Sequence, residues 1–379
     1  MKQLFQKKAR AGSIEMPNDK TKQLSRDFDS ATSEKRHRLV SANMFGFNAI
    51  NKIEAGEMKY VQLKDGKSAA NVLRWMSKNG ESISLIEKRL VVPVEKRKLG
   101  PAPREALFSF LKDKIEFTSN FHMPEIHCIS ETKLGWSILM DDVLALGGRP
   151  MQPEEYLDKK SIHRVLEAAL ALTTSSTAVL EMFKNSFLIS SNQIPFSFRG
   201  ARDNSDILSE DLDVVIISDL ENRLMELMND MMVEGQLAIS HLDINEGNIF
   251  FVGRKPYLID FGQVSLAPIG LDQGKILGDV LWKHYHKHKK SSVKGAGALH
   301  SDIYLSGVEF CISKICDHMP EVKKEKIIDI IVVSSLLRLR KRWLIYTESR
   351  SGPHILEEAL LLSQKIQEFY GSVYKNLQS

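Results

Sequence analysis

Between Ile239 and Val264 the chain reads ISHLDINEGNIFFVGRKPYLIDFGQV, and the rest of the sequence is best read outward from it. Two short apolar runs, around Ile249–Val252 and Tyr257–Ile259, flank a Gly253–Pro256 turn, which predicts a strand hairpin. Polar residues stand at both of its ends. His241, Asp243 and Asn248 precede the first strand, and Asp260 closes the second. A hairpin brings its ends together, so Asn248 and Asp260 are expected to converge, with Asp243 beside them on a loop that follows a helix. This oxygen set suits phosphoryl transfer. One carboxylate orients or deprotonates an attacking hydroxyl, and other carboxylate and amide oxygens hold Mg2+ on nucleotide phosphates.

The 379 residues are enough for two lobes, each with its own core. A hydrophobic content of 43% and a charged content of 26% are those of an ordinary soluble globular chain. A formal charge of +4 does not by itself point to nucleic acid, and no nucleic-acid partner is expected. Cys128, Cys311 and Cys316 form no CxxC pair, which suggests a reducing compartment. The N-terminus lacks the apolar run of roughly 7–15 residues that a secretory signal needs. The most apolar segment, IIDIIVVSSLLRL at Ile327–Leu339, carries Asp329 and is shorter than the roughly 20 residues of a membrane span. It reads as a buried helix, and no transmembrane segment is expected.

Residues 1–57 are polar and predict a mobile tail with one short helix near Val40–Ile53. Across 58–142, Asp65-Gly66 and Asn79-Gly80 divide the chain into three strands. PREALFSFLKDKI reads as a helix opened by Pro103, and HCISETKLGWSILMDDV as two further strands around Lys133–Gly135. Residues 143–379 are mainly helical. KKSIHRVLEAALALTTSSTAVLEMF predicts one long helix, LENRLMELMNDMMVEG a second closed by Gly235, and helices continue from Leu271 to about Tyr374. Segment 185–211 reads either as a substrate-side loop or as disordered chain. WKHYHKHKKSSVK, Trp282–Lys294, reads as a solvated loop, with an anionic substrate or lipid head group as the alternative. RLRKRW, Arg338–Trp343, reads as the exposed cationic end of the apolar helix before it.

HLDINEGN…IDFG resembles the H-x-D-x-x-x-x-N catalytic loop and D-F-G metal motif of the protein-kinase-like superfamily. The resemblance is best to its small-molecule branch, the aminoglycoside phosphotransferases and choline kinases, whose x-G-N is matched by Glu246-Gly247-Asn248. Asp272 falls where those kinases carry an aspartate that braces the loop. Asn245 stands where eukaryotic Ser/Thr kinases have lysine, and no A-P-E follows. The resemblance implies an α+β, bilobal protein-kinase-like fold, with a small antiparallel-sheet N-lobe (58–142) and a mainly helical C-lobe (143–379). It implies ATP- and Mg2+-dependent transfer of the γ-phosphate to a hydroxyl-bearing acceptor. Asp243 would be catalytic, Asn248 and Asp260 metal ligands, and His241 and Asp272 supports of the loop.

Upstream, Lys88 in LIEKRL resembles the strand lysine that holds the α- and β-phosphates, with Glu105 as its ion-pair partner; Arg89, Lys96 and Lys98 are rivals for the part. ILMDDV resembles the hinge, where Leu139, Asp141 and Val143 would line the adenine site and Asp141 and Asp142 would be solvated. KDGKSAAN stands in place of the phosphate-covering loop and would use Gly66 and Ser68, although its single glycine departs from G-x-G-x-x-G. The acceptor is expected to be a small molecule, and the location cytoplasmic. Two other readings stay open. One is an atypical protein kinase, such as a bacterial effector exported without a cleavable signal peptide, for which the basic tail would serve docking. The other is a nucleotide-binding pseudokinase, which the poor glycine loop suggests.

Overall fold

A computed structural model of the chain describes residues 38–64, 70–79, 83–91, 104–105, 108, 121–132, 135–174, 213–288, 299, 301–347 and 354–378. The chain divides into two compact units, Met1–Ala106 with Glu125–Ala145, and Leu107–Pro124 with Leu146–Ser379.

The first unit is built on a six-stranded antiparallel sheet in the order β1-β5-β6-β4-β3-β2. Its strands are β1 (Arg38–Ala42), β2 (Met58–Lys64), β3 (Ala70–Ser77), β4 (Ser84–Val91), β5 (Ile126–Thr132) and β6 (Gly135–Asp141). β2, β3 and β4 are the three runs expected between the two turn signals, and β5 and β6 are the expected pair after them. Residues 38–54 contain the short helix expected near Val40–Ile53 and, before it, a strand that the expectation of a tail did not include. They form β1, paired antiparallel with β5, and helix α1 (Met44–Glu54). Asn43 caps α1 by accepting the Gly46 N–H at 2.7 Å, and its own N–H donates to His127 O at 3.0 Å. Ala49 and Ile50 of α1 then bury against Leu73, Trp75, Leu85 and Leu139. Burial of this short apolar face outweighs the polar composition around it.

Period-two alternation sorts β4. Glu87 lies in register with Leu73 and Leu139, and Lys88 with Val72 and Ile138, so the two charged residues point to opposite faces. Glu87 is fully buried. It accepts Trp75 Nε1 at 2.7 Å and Ser137 Oγ at 2.5 Å, and it pairs with Arg89 at 3.1 Å.

The second unit holds two small sheets and six α-helices among the described residues. β7 (Gly148–Pro150), β9 (Ile249–Val252) and β10 (Lys255–Leu258) form one antiparallel sheet. β8 (Leu237–Ser240) and β11 (Ser265–Pro268) form the other. β9 and β10 are the predicted hairpin, closed by a two-residue turn in which Gly253 takes φ 59°, the left-handed conformation such turns need. The helices are α2 (Lys159–Thr173), α3 (Asp213–Val233), α4 (Leu271–His288), α5 (Asp302–His318), α6 (Lys324–Thr347) and α7 (His354–Gln378). Asp158 caps α2 by accepting the Ser161 N–H at 2.9 Å. No helix among the described residues is long and apolar enough to cross a membrane.

α4 and α6 pack closely. A Cβ on Gly274 would stand 1.8 Å from Ser334 Oγ and 2.9 Å from Ile331 O. Gly274→Ala is therefore expected to lower stability by about 1–3 kcal/mol. Urea melts should show this, and Gly274→Ala combined with Ser334→Ala should recover part of the loss.

Two basic stretches depart from their expected places. Residues 282–288 continue α4, with Trp282 and Tyr285 buried in the core, so helical periodicity overrides the polar composition there. Arg338 and Arg340 are also buried, inside α6 rather than at its exposed end. Asp279 explains Arg338. This fully buried carboxylate accepts Arg338 Nε at 2.8 Å and Arg342 Nε at 2.7 Å, with a second bond to each guanidinium. The two arginines hold the Asp279 carboxyl well below the usual carboxylate range despite its burial.

Candidate functional site

The loop between β8 and β9 is gripped from two sides. Asp272, buried in the first turn of α4, accepts the His241 N–H at 2.6 Å and the Leu242 N–H at 2.9 Å. Burial pushes the Asp272 carboxyl above its usual range, against the pull of His241 and those two N–H groups. His241 is buried too. Its Nδ1 accepts the Asp243 N–H at 3.2 Å, so the ring proton sits on Nε2, which donates to Ile259 O at 2.9 Å. Burial lowers the His241 pKa, which favours the neutral ring. The histidine thus ties the loop to the strand end that leads into Asp260. Phe261, 4.5 Å from the His241 ring between centroids, also stacks on Phe108 at 4.6 Å.

Leu242 at φ 58° and Asp260 at φ 66°, ψ 64° are the two described non-glycine residues in the left-handed region. That conformation costs about 1–2 kcal/mol per residue and persists where surrounding bonds impose it.

Asp243 follows β8 rather than coming directly after a helix. Its side chain is 40% exposed. Oδ2 accepts Asn248 Nδ2 at 3.1 Å, and Oδ1 accepts Asn245 Nδ2 at 3.3 Å. Asn248 Nδ2 also donates to Asp243 O at 2.8 Å, which fixes the amide's orientation and turns its Oδ1 away from Asp243. The hairpin register continues past Ile249–Leu258, since the Ile259 N–H donates to Asn248 O at 3.0 Å. Asn248 therefore lies against the residue just before Asp260. The two ends of the hairpin thus meet through the backbone at Asn248 and Ile259.

Sequence reasoning missed Lys275. Its fully buried Nζ donates to Leu242 O and to Asp243 Oδ1, each at 3.0 Å. Burial first, and Arg338 second, push its ammonium down to about 8, against the pull of Asp243. A signal was present. Lys275 stands three residues after Asp272 on the same helix, a spacing that shares one face. Glu246, on the same loop, pairs with Lys283 of α4 at 2.8 Å.

In the first unit, Lys88 and Glu105 form an ion pair in which both side chains are largely buried. Arg89 is buried on the opposite face against Glu87, so the geometry separates Lys88 from this rival; Lys96 and Lys98 lie outside the described residues. Leu139 is fully buried in the core beneath α1, and Val143 is buried as well. Asp141 is engaged within its own unit, with His127 Nε2 at 2.7 Å and the Glu125 N–H at 3.2 Å. Asp142 is buried rather than solvated, pairing with Arg74 at 2.7 Å and accepting Ser84 Oγ at 2.7 Å. Gly66, Ser68 and segment 185–211 lie outside the described residues.

Among solved structures, the chain matches a choline kinase from Cryptosporidium parvum Iowa II over 86% of its own length and 93% of that chain, with 13% identity and a TM-score of 0.51. The chain has a protein-kinase-like fold. A choline kinase from Streptococcus pneumoniae (13% identity, 85% and 99% coverage, TM-score 0.45) is a looser likeness and adds no weight. The same holds for an aminoglycoside phosphotransferase from Alicyclobacillus acidocaldarius (15% identity, 86% and 95% coverage, TM-score 0.42). No family model matches the sequence, and no curated protein does. At such identities the likeness speaks for the protein-kinase-like fold alone, and the chemistry must be argued from the loop residues.

Proposed function

We propose that this protein is a phosphotransferase that moves the γ-phosphate of ATP to the hydroxyl of a small-molecule acceptor, with Mg2+ as its metal. The observation that supports it most is the half-exposed Asp243 carboxylate held by Asn248, whose backbone is bonded to the residue before Asp260. The likeness to a choline kinase favours a hydroxyl acceptor.

In this reading, the acceptor O–H gives its proton to Asp243 as its oxygen bonds to the γ-phosphorus. The bond from that phosphorus to the bridging oxygen breaks, and the electron pair leaves on ADP. Asn248 Oδ1 and the Asp260 carboxylate are hard oxygen donors, and Mg2+ commonly takes one or two protein ligands with water and phosphate completing its shell. The donor set fits. When bound, the metal would neutralise charge on the phosphates. Lys88, oriented by Glu105, would hold the α- and β-phosphates, and the backbone of 139–143 would receive the adenine.

The test incubates the protein with γ-labelled ATP and Mg2+ together with choline, an aminoglycoside and a small-molecule lysate filtrate, separately and with lysate protein. Label in a small-molecule product, absent with Asp243→Ala, is expected. Label confined to protein bands would replace the acceptor class, and ATP binding without transfer to any acceptor would overturn the reading. Lys88→Met is expected to cut kcat/KM about a hundred-fold, chiefly through ATP, because a preorganised cation next to phosphate is lost.

A further inference from the structure

We infer that Lys275 is a positioning residue for Asp243, holding both the carboxylate and the strained Leu242 peptide from beneath the loop. The inference rests on the phosphotransferase reading for its catalytic consequence, but the geometry stands without it.

Leu242 is bent into the left-handed region, and both ends of its residue unit are held by one turn of α4. Asp272 accepts its N–H at 2.9 Å, and Lys275 donates to its carbonyl at 3.0 Å. The same ammonium reaches on to Asp243 Oδ1 at 3.0 Å, while Asn248 holds Oδ2 at 3.1 Å. The carboxylate is therefore clamped at both oxygens, on one side by a buried cation and on the other by an amide. The first grip comes from a helix and does not depend on the loop's own conformation.

Simple stabilisation is a poor account of this lysine. Its Nζ is fully buried, and among the described residues Asp243 is the one carboxylate within ion-pair distance. The surrounding charges are mixed, with the carboxyl groups of Asp272 and Asp279 on one count and the Arg338 guanidinium on the other. Buried ions of this kind are often replaced by apolar residues of similar volume at little or no loss of stability. Burial has also pushed the ammonium down to about 8, so folding works against its charge. What the lysine does contribute is geometric. It sets where Asp243 Oδ1 stands relative to the hydroxyl that is to be deprotonated.

The test compares Lys275→Met and Lys275→Gln with the wild-type full chain by crystal structure, thermal melt and the labelled-ATP assay with lysate filtrate. Met matches the volume without charge, so the fold should survive. Gln can still donate to Leu242 O. In Lys275→Met the Asp243 carboxylate is expected to leave its place and Leu242 to relax from φ 58°. kcat should fall about a hundred-fold with the ATP KM kept within about three-fold, the pattern of a misplaced reacting group rather than of lost binding. Lys275→Gln should retain Leu242 and recover part of kcat. An unmoved Asp243 in Lys275→Met overturns the inference whatever the activity, and a moved Asp243 with wild-type kcat overturns its catalytic consequence. If the wild type itself transfers no phosphate, the phosphotransferase reading fails, and the crystal structures alone decide whether Lys275 positions Asp243.

Discussion

Asp260→Ala is expected to abolish turnover, to below about a thousandth of wild type, because it removes the carboxylate proposed to hold the metal on the phosphates. Asp260 adopts φ 66°, ψ 64°, so alanine there also adds backbone strain. Asp260→Asn separates the two effects. Asparagine tolerates the left-handed region and is nearly the same size, but it carries no charge. Both variants should therefore lose transfer, while Asp260→Asn should melt close to wild type. Asp243→Ala should retain Mg2+-dependent ATP binding and lose about 10²–10⁴-fold in kcat, the range of a general base. Wild-type turnover by Asp260→Asn would remove the metal assignment, since no other role given to that side chain needs its charge.

Asp279→Ala is expected to cost about 3–5 kcal/mol. The substitution leaves Arg338 and Arg342 facing each other without the carboxylate that neutralises them, and Arg338 has no route to water from a side chain 7% exposed. A loss of that size is a large part of the roughly 5–15 kcal/mol that holds a typical domain folded. The pH dependence follows from the sign of the shift. The folded Asp279 carboxyl lies below its unfolded value, so the unfolded chain takes up its proton first as the pH drops. Its contribution is thus complete above about pH 4 and is lost as the pH falls through the folded pKa. Urea melts between pH 3 and pH 7 should show the gap between wild type and Asp279→Asn narrowing below about pH 4. Replacing Asp279, Arg338 and Arg342 together by Leu, Met and Met should recover much of the loss. A triple variant as unstable as Asp279→Ala would show that packing, not charge, is what the site supplies.

These two sites differ in how far a reading of the sequence could reach them. The loop and hairpin were legible because their decisive contacts are short in sequence. The Ile259 N–H reaches Asn248 O, and the Asn248 amide reaches Asp243, all within the turn of one hairpin. Strand alternation puts Lys88 on the face opposite Glu87 and Arg89, and the structure pairs it with Glu105. The basic run at Arg338–Trp343 was misread because composition cannot tell a solvated charge from a compensated one. Its partner, Asp279, lies 59 positions from Arg338 along the chain. The strand at Arg38–Ala42 was missed for a related reason, since β1 is a strand only in the presence of β5.

The sequence alone therefore determined the local units: the β2–β3–β4 and β5–β6 strand runs, the β9–β10 hairpin, the helical periodicity of the second unit and the identity of the loop motif. It could do so because turn chemistry, alternation and helical spacing act within a few residues. The tertiary structure alone decided which buried charges meet. One face of α4 presents Asp272 and Lys275 to the loop and, further along the helix, Asp279 to the arginines of α6. α4 can do this because Gly274 lets it lie against Ser334 of α6. A charge enters a protein interior only where its partner is already in place, and where that partner stands is a property of the packed helices rather than of any segment read by itself.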